Sequence, residues 1–396
     1  MFEWLKGEKK ADSASTGLPA KEPLSAPPRD AVPAPSASER PGRGERPASE
    51  RPGAERAGAE RADRSAPRAA TTVQKESVKV EAKADLSVDL GGASLPNPVM
   101  TASGCAANGK ELDRFFDVSQ LGAFVTKTVM ANPRSGRGTP RMAETPSGML
   151  NSIGLQGPGI EAFCEQDLPW LAERGVRVLV SIAGSDAAEF AHVARVLRDC
   201  DAASAVAGVE INISCPNVAN RGLVFSCESG ASAQVVSSVV AELPSEWPTF
   251  AKLTADVTDI VSIARAALEA GATGLTAINT LLGIRIDTTT MRPHLGGITG
   301  GLSGPAMRPV AVRAVWQLRA AMLTGALPTA PIIGVGGIAS GEDALEFIAA
   351  GASAVQVGTV TFHDPNAPIR VRDELALALD QRGIASVREV VGAAHG

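Results

Sequence analysis

The feature that most constrains this chain is an alternation. From about Asp85 onward, short apolar runs at 99–103, 123–129, 178–183, 208–213, 249–253, 274–278, 331–335 and 354–357 are separated by longer stretches, most of them with helical periodicity, such as 260–270 and 310–323. Runs this short, rich in Val, Ile, Ala and Leu and bounded by Gly, Pro, Asn or Asp, read as strands buried on both faces. Eight such units over about 310 residues predict an α/β fold, a (β/α)8 TIM barrel, which forms one domain at this size. A doubly wound sheet is disfavoured, because no Gly-x-Gly-x-x-Gly opens a helix after the first run. The stretch 86–95 reads as a small N-terminal hairpin closing the bottom of the barrel.

Residues 1–84 are of a different kind. They are dominated by Ala, Pro, Arg, Glu, Ser and Gly, and 42–64 repeats a loose Glu-Arg-x-Gly/Ala theme. Such a segment has too little apolar surface to offset the entropy of ordering, so a disordered low-complexity tail is expected, with no catalytic role. The expected organisation is a tail at 1–84 and a barrel at 85–396. The glutamates argue against a mitochondrial transit peptide, and the start of the chain lacks the apolar region of a secretory signal. No apolar run approaches the ~18 residues needed to cross a membrane. A net charge of −5 offers nucleic acid nothing to bind. The five cysteines, Cys105, Cys164, Cys200, Cys215 and Cys227, are an odd number without metal-ligand spacing. They predict free thiols in a reducing cytoplasm, with neither disulfide nor metal. The four histidines are scattered, which disfavours a Ser-His-Asp hydrolase.

Chemistry is concentrated at the ends of the apolar runs. The fourth run leads into Asn212-Ile213-Ser214-Cys215-Pro216-Asn217. Proline cannot continue a ladder, so Cys215 is held at the C-terminal end of a strand, where barrels of this type keep their active sites. Lys127 and Lys252 also sit in apolar runs. A buried ammonium needs a partner, and two of them near strand ends point to an anionic ligand over the barrel mouth. Gly336 and Gly337 follow the seventh run, and Gly358 and Thr359 the eighth. Barrels bind phosphate at this place through backbone N–H groups. The run from Gly300 to Gly304 reads as a third flexible turn at the same end. Asn151, Asn212, Asn217 and Asn279 recur at strand ends and loops; together their carboxamides can read a flat ring with alternating C=O and N–H groups, such as a pyrimidine.

These residues resemble a known family. Asn212-Ile213-Ser214-Cys215-Pro216-Asn217-Val218, the run from Asn279 to Asp287, Ile298-Thr299-Gly300-Gly301-Leu302-Ser303-Gly304-Pro305 and Gly334-Val335-Gly336-Gly337 are similar to class 1 dihydroorotate dehydrogenases, most closely class 1B. The similarity runs from about residue 86 to the C-terminus. It implies FMN over the barrel mouth, with Gly336, Gly337, Gly358, Thr359 and Gly304 near its phosphate. Ala102, Ser103, Gly104, Lys127, Thr128, Ser181, Asn212 and Ile278 would contact the cofactor, and Lys252 would approach the N1/C2=O side of the ring. Asn151, Ser152, Ile153, Gly154, Leu155, Asn212, Asn217, Asn279, Thr280 and Lys127 would hold dihydroorotate or orotate. Cys215 would be the catalytic base, taking a proton from C5 while a hydride leaves C6. The loop 218–230 would exclude water, with Gly222 and Gly230 as hinges.

The resemblance further implies a homodimeric core within a heterotetramer. Its second subunit would carry FAD and a [2Fe–2S] cluster and pass electrons to NAD. A class 1A-like enzyme using fumarate, a dihydropyrimidine dehydrogenase-type reductase and a non-catalytic scaffold remain as alternatives. The membrane-associated class 2 enzymes, with a serine base, fit less well. The chain departs from the class 1B pattern at 221–227, at 106–109, at Ser181, where asparagine is usual, and at Thr254-Ala255-Asp256.

Overall fold

The structure, a computed structural model, describes residues 83–214 and 227–396. The expected tail, residues 1–82 of it, therefore lies outside the described residues. All eight apolar runs form parallel strands, here called first to eighth: Val99–Thr101, Phe124–Val125, Val178–Ile182, Val206–Ile211, Thr249–Leu253, Gly274–Ala277, Ile332–Val335 and Ala354–Val357. They are hydrogen-bonded in the order first, eighth, seventh, sixth, fifth, fourth, third, second. The ring closes between the first and second strands through a Met100–Ala123 bridge. Thr101 Oγ1 reinforces this seam, accepting from Val125 N–H at 2.9 Å and donating to Val125 O at 3.1 Å. Every residue of Val178–Ile182 and Thr249–Leu253 is buried, because strands in a barrel pack against helices outside and one another inside.

Helices follow the strands as the periodicity predicts: Ala187–Arg198, Ser229–Val240, Ile260–Glu269, Arg308–Leu323, Gly341–Ala349 and Ala367–Gln381. Several begin at side chains that satisfy their first N–H groups. Asp186 accepts from Glu189 N–H, Asp259 from Val261 and Ser262, and Ser340 forms a capping box with Asp343. The first strand is followed only by short 3-10 turns, Leu112–Arg114 and Val118–Gln120. No helix among the described residues is long and apolar enough to cross a membrane.

The N-terminal hairpin pairs Val88–Asp89 with Ser94–Leu95, and Val88, Leu90 and Leu95 are buried in the main core. Chain contacts start slightly before the expected boundary: Lys83 and Ala84 donate their N–H groups to the Asp380 carboxylate at 2.8 and 2.9 Å.

Two expectations are corrected. Gly300 and Gly301 are not in a flexible turn. They lie in the strand Thr299–Ser303, within a four-stranded antiparallel sheet that also contains Leu281–Ile284, Gly148–Asn151 and Met142–Thr145. A Cβ on Gly301 would lie 2.0 Å from Thr280 Oγ1, so the residue serves close approach rather than flexibility. The cysteines are not all free either. Cys164, in the π-turn Phe163–Asp167, and Cys200, just beyond Ala187–Arg198, form a disulfide with a Cα–Cα distance of 5.8 Å. Their separation of 36 residues conceals the pair, which exists because the two helical segments pack side by side.

Candidate functional site

At the C-terminal ends of the barrel strands lies a cavity of about 680 Å³. Its wall includes Ala102, Ser103 and Gly104 from the end of the first strand, Lys127 and Thr128 from the second, Asn212 from the fourth and Lys252 from the fifth. Ile278, Asn279 and Thr280 come from the sixth strand's end, Gly336 and Gly337 from the seventh, and Gly358 and Thr359 from the eighth. The antiparallel sheet and its loops add Asn151, Ile153, Gly154, Leu155 and Gly304. These nineteen expected residues, spread over positions 102–359, share one wall.

Ser152 and Ser181 stand behind that wall. Ser152 is fully buried and accepts from Arg137 Nη1 at 3.2 Å. Ser181, also fully buried, shares a hydrogen bond of 3.0 Å with Thr128 Oγ1. The short serine side chain reaches Thr128 and does not line the cavity. Cys215 and Asn217 lie outside the described residues, as does most of the loop 218–230. Gly230 is described; it falls in the first turn of Ser229–Val240, so any hinge there is helix-terminal.

The amides form a continuous chain. Asn212 Nδ2 donates to Thr128 Oγ1 at 3.1 Å. Asn279 Nδ2 donates to Asn212 Oδ1 at 3.1 Å and to Ser214 Oγ at 3.0 Å, while its own Oδ1 accepts from Thr280 N–H at 2.8 Å. Asn151 Nδ2 donates to Gly301 O at 3.2 Å, anchoring the sheet strand that carries it. These bonds fix rotamers at the ends of the second, fourth and sixth strands, so the site is organised before any ligand arrives.

Lys252 is 3% exposed and satisfied from two sides: its Nζ lies 2.9 Å from Ser103 Oγ and 3.1 Å from Glu210 Oε1. The ion pair with Glu210 offsets part of the cost of burying the ammonium in the barrel. Near the phosphate-type loops, Gly337 has φ +77°, and a Cβ there would lie 2.7 Å from Gly304 O. Only glycine lets these two loops meet at such a distance.

Several wall residues were not anticipated, among them Cys105, Gln356, Met307 and His363. Glu210 is fully buried beneath them. Glu210 and Gln356 carry the same signal as the two lysines, a polar group inside an apolar run. Burial pushes the Cys105 thiol up, with Lys127 and then Lys252 pulling against it. At the departure 254–256, Asp256 Oδ2 accepts from Leu282 N–H at 2.8 Å, tying the fifth strand's loop to the antiparallel sheet.

Comparison with known proteins agrees with this geometry. The family model described as dihydroorotate dehydrogenase matches residues 85–379. A Geotalea daltonii protein named dihydroorotate dehydrogenase B (NAD(+)), catalytic subunit, is 47% identical over 312 residues, covering 79% of this chain and 99% of that relative. A Geobacillus protein of the same name is 46% identical over 307 residues, covering 78% and 95% respectively. With barrel, cavity and sequence in agreement over the same residues, the chain belongs to the dihydroorotate dehydrogenase family.

Proposed function

We propose that this chain is the catalytic subunit of an NAD-linked dihydroorotate dehydrogenase, oxidising (S)-dihydroorotate to orotate in pyrimidine synthesis with FMN as cofactor. The observation that carries the reading is the convergence of Lys127, Lys252, the glycine loops and the asparagines on one cavity, with Asn279 of its wall hydrogen-bonded to Ser214, the residue before Cys215 in the sequence. The cavity of about 680 Å³ is of cofactor size. Its donor set fits FMN: glycine loops for a phosphate, a buried cation for the ring's electron-rich edge, and an unpartnered acceptor, Gln356 Oε1, in the wall.

Gly304, Gly336, Gly337, Gly358 and Thr359 would hold the FMN phosphate. Ala102, Ser103, Gly104, Thr128, Asn212, Lys252 and Ile278 would hold its ring system, with Ser181 acting through Thr128. When bound, FMN supplies a two-electron acceptor for the hydride released from dihydroorotate. The chain's own residues do the rest. Asn151, Asn212, Asn217, Asn279 and Thr280 orient the pyrimidine ring with the Ser152–Leu155 segment behind it, and Lys127 offsets the substrate's negative charge. Cys215 takes the proton from C5.

Residues 85–396 constitute the catalytic unit and 1–84 a non-catalytic tail. The electron-transfer partner carries FAD and a [2Fe–2S] cluster, and a homodimer of this chain forms the core of a cytoplasmic heterotetramer. The purified protein is expected to be yellow, to release FMN on denaturation and to bleach anaerobically with dihydroorotate. Bleaching by dihydrouracil alone would favour the dihydropyrimidine reductase reading. A colourless protein that FMN cannot reconstitute would overturn both. Co-purification with an iron–sulfur flavoprotein, followed by NAD reduction, separates the class 1B assembly from a fumarate-using enzyme.

A further inference from the structure

Glu210 and Gln356 are 0% and 1% exposed, on the fourth and eighth strands. These strands lie opposite one another in the ring, yet Gln356 Nε2 donates to Glu210 Oε2 at 2.7 Å. The other carboxylate oxygen holds Lys252 Nζ at 3.1 Å. One buried carboxylate thus spans the barrel and clamps two side chains at the floor of the cavity.

A carboxylate can only accept hydrogen bonds, so Gln356 has to turn its NH2 group to Glu210. Its Oε1 is buried without a hydrogen-bond partner, on a residue of the cavity wall. Barrel interiors are normally filled by branched aliphatic side chains. A buried ion pair adds little net stability over an apolar replacement.

We propose that Glu210 is a positioning residue that sets the hydrogen-bond polarity of the cavity floor. It fixes the Lys252 ammonium as a donor and turns Gln356 so that a carbonyl acceptor stands on the same floor. The matching ligand edge has a carbonyl oxygen next to an N–H, as the C2=O and N3–H of the FMN pyrimidine ring provide. This rests on the FMN reading above and deepens it.

The test is Glu210→Gln, which preserves shape but replaces one acceptor by an NH2 group. That group confronts the NH2 of Gln356, so Gln356 turns over and presents a donor to the cavity. Lys252 also loses its counter-charge. FMN affinity, titrated into the apo-protein by fluorescence quenching, is expected to fall about tenfold. The midpoint potential of the flavin that does bind is expected to rise, because an unbalanced cation favours the more negative reduced ring. The exchanged pair, Glu210→Gln with Gln356→Glu, restores one carboxylate, one amide and a cavity-facing acceptor. It is expected to recover most of the lost affinity.

Wild-type affinity and potential in Glu210→Gln would overturn the proposal, as would an exchanged pair no better than the single variant. If Glu210→Gln does not fold, Gln356→Leu removes the acceptor and leaves the ion pair intact. Undiminished FMN affinity in that variant overturns the proposal equally. Wild-type apo-protein that takes up no FMN defeats the FMN reading itself and is distinguished at the first titration.

Discussion

Asn279 Nδ2 donates to Ser214 Oγ at 3.0 Å, so the end of the sixth barrel strand braces the residue directly before Cys215. The same amide donates to Asn212 Oδ1 at 3.1 Å. Asn279→Ala leaves both acceptors without their donor, at roughly 1–3 kcal/mol. Flavin reduction by dihydroorotate is expected to slow about 10- to 100-fold, with FMN content close to that of the wild type. Stopped-flow bleaching under anaerobic conditions measures this, and an unchanged rate would show that the brace does not matter to the chemistry.

Cys215→Ser is expected to keep FMN but to slow flavin reduction by orders of magnitude near neutral pH. A hydroxyl gives up its proton far less readily than a thiol, so it is a poor base at that pH. Undiminished single-turnover reduction in this variant would remove Cys215 as the base.

Gly337→Ala places a Cβ 2.7 Å from Gly304 O and 2.9 Å from Arg308 Cβ, at φ +77°. The backbone has to shift, at a cost of about 1–3 kcal/mol. The expected result is a lower melting temperature together with weaker retention of FMN on gel filtration. A variant that keeps wild-type FMN content would show that this loop does not take part in holding the phosphate.

The Cys164–Cys200 disulfide leaves three of the five cysteines reactive after denaturation without reductant. Closing a loop of 36 residues contributes about 2–4 kcal/mol. Cys200→Ala should show that loss in urea unfolding without reductant, and little of it when both proteins are reduced. Five titratable thiols in the untreated protein would refute the pairing.

Burial raises the Cys105 thiol against the pull of Lys127 and Lys252. A raised thiol stays protonated, hence unreactive, until the pH passes above the ordinary thiol range of about 8.5. Iodoacetamide at neutral pH is expected to label the exposed Cys227 and to spare Cys105, whose labelling rises only in alkali. Mass spectrometry of digests reads both, and equal labelling at neutral pH would contradict the assignment.

Much of the site was legible because a polar residue in an apolar run needs a reason. Lys127 and Lys252 were found by that rule, and both face the cavity. Glu210 and Gln356 obey the same rule in the fourth and eighth runs, but their partners lie on other strands. Their meaning depends on a hydrogen bond across the barrel. Ser181 shows the opposite limit: the sequence expects it at the cofactor, but its short side chain meets Thr128 behind the cavity wall.

Beyond what the family resemblance implied, the sequence by itself determined the number of barrel strands, the end of the barrel that holds the chemistry, and the lysines, glycine loops and asparagines of its wall. Those follow from local periodicity and from where proline, glycine and strand ends fall. Only the tertiary structure decided that Gly301 lies in a strand under Thr280, that Cys164 meets Cys200, and that Glu210 reaches Gln356. Each is a contact between segments distant in the chain. No local pattern encodes such a distance; packing around a closed ring of strands sets it.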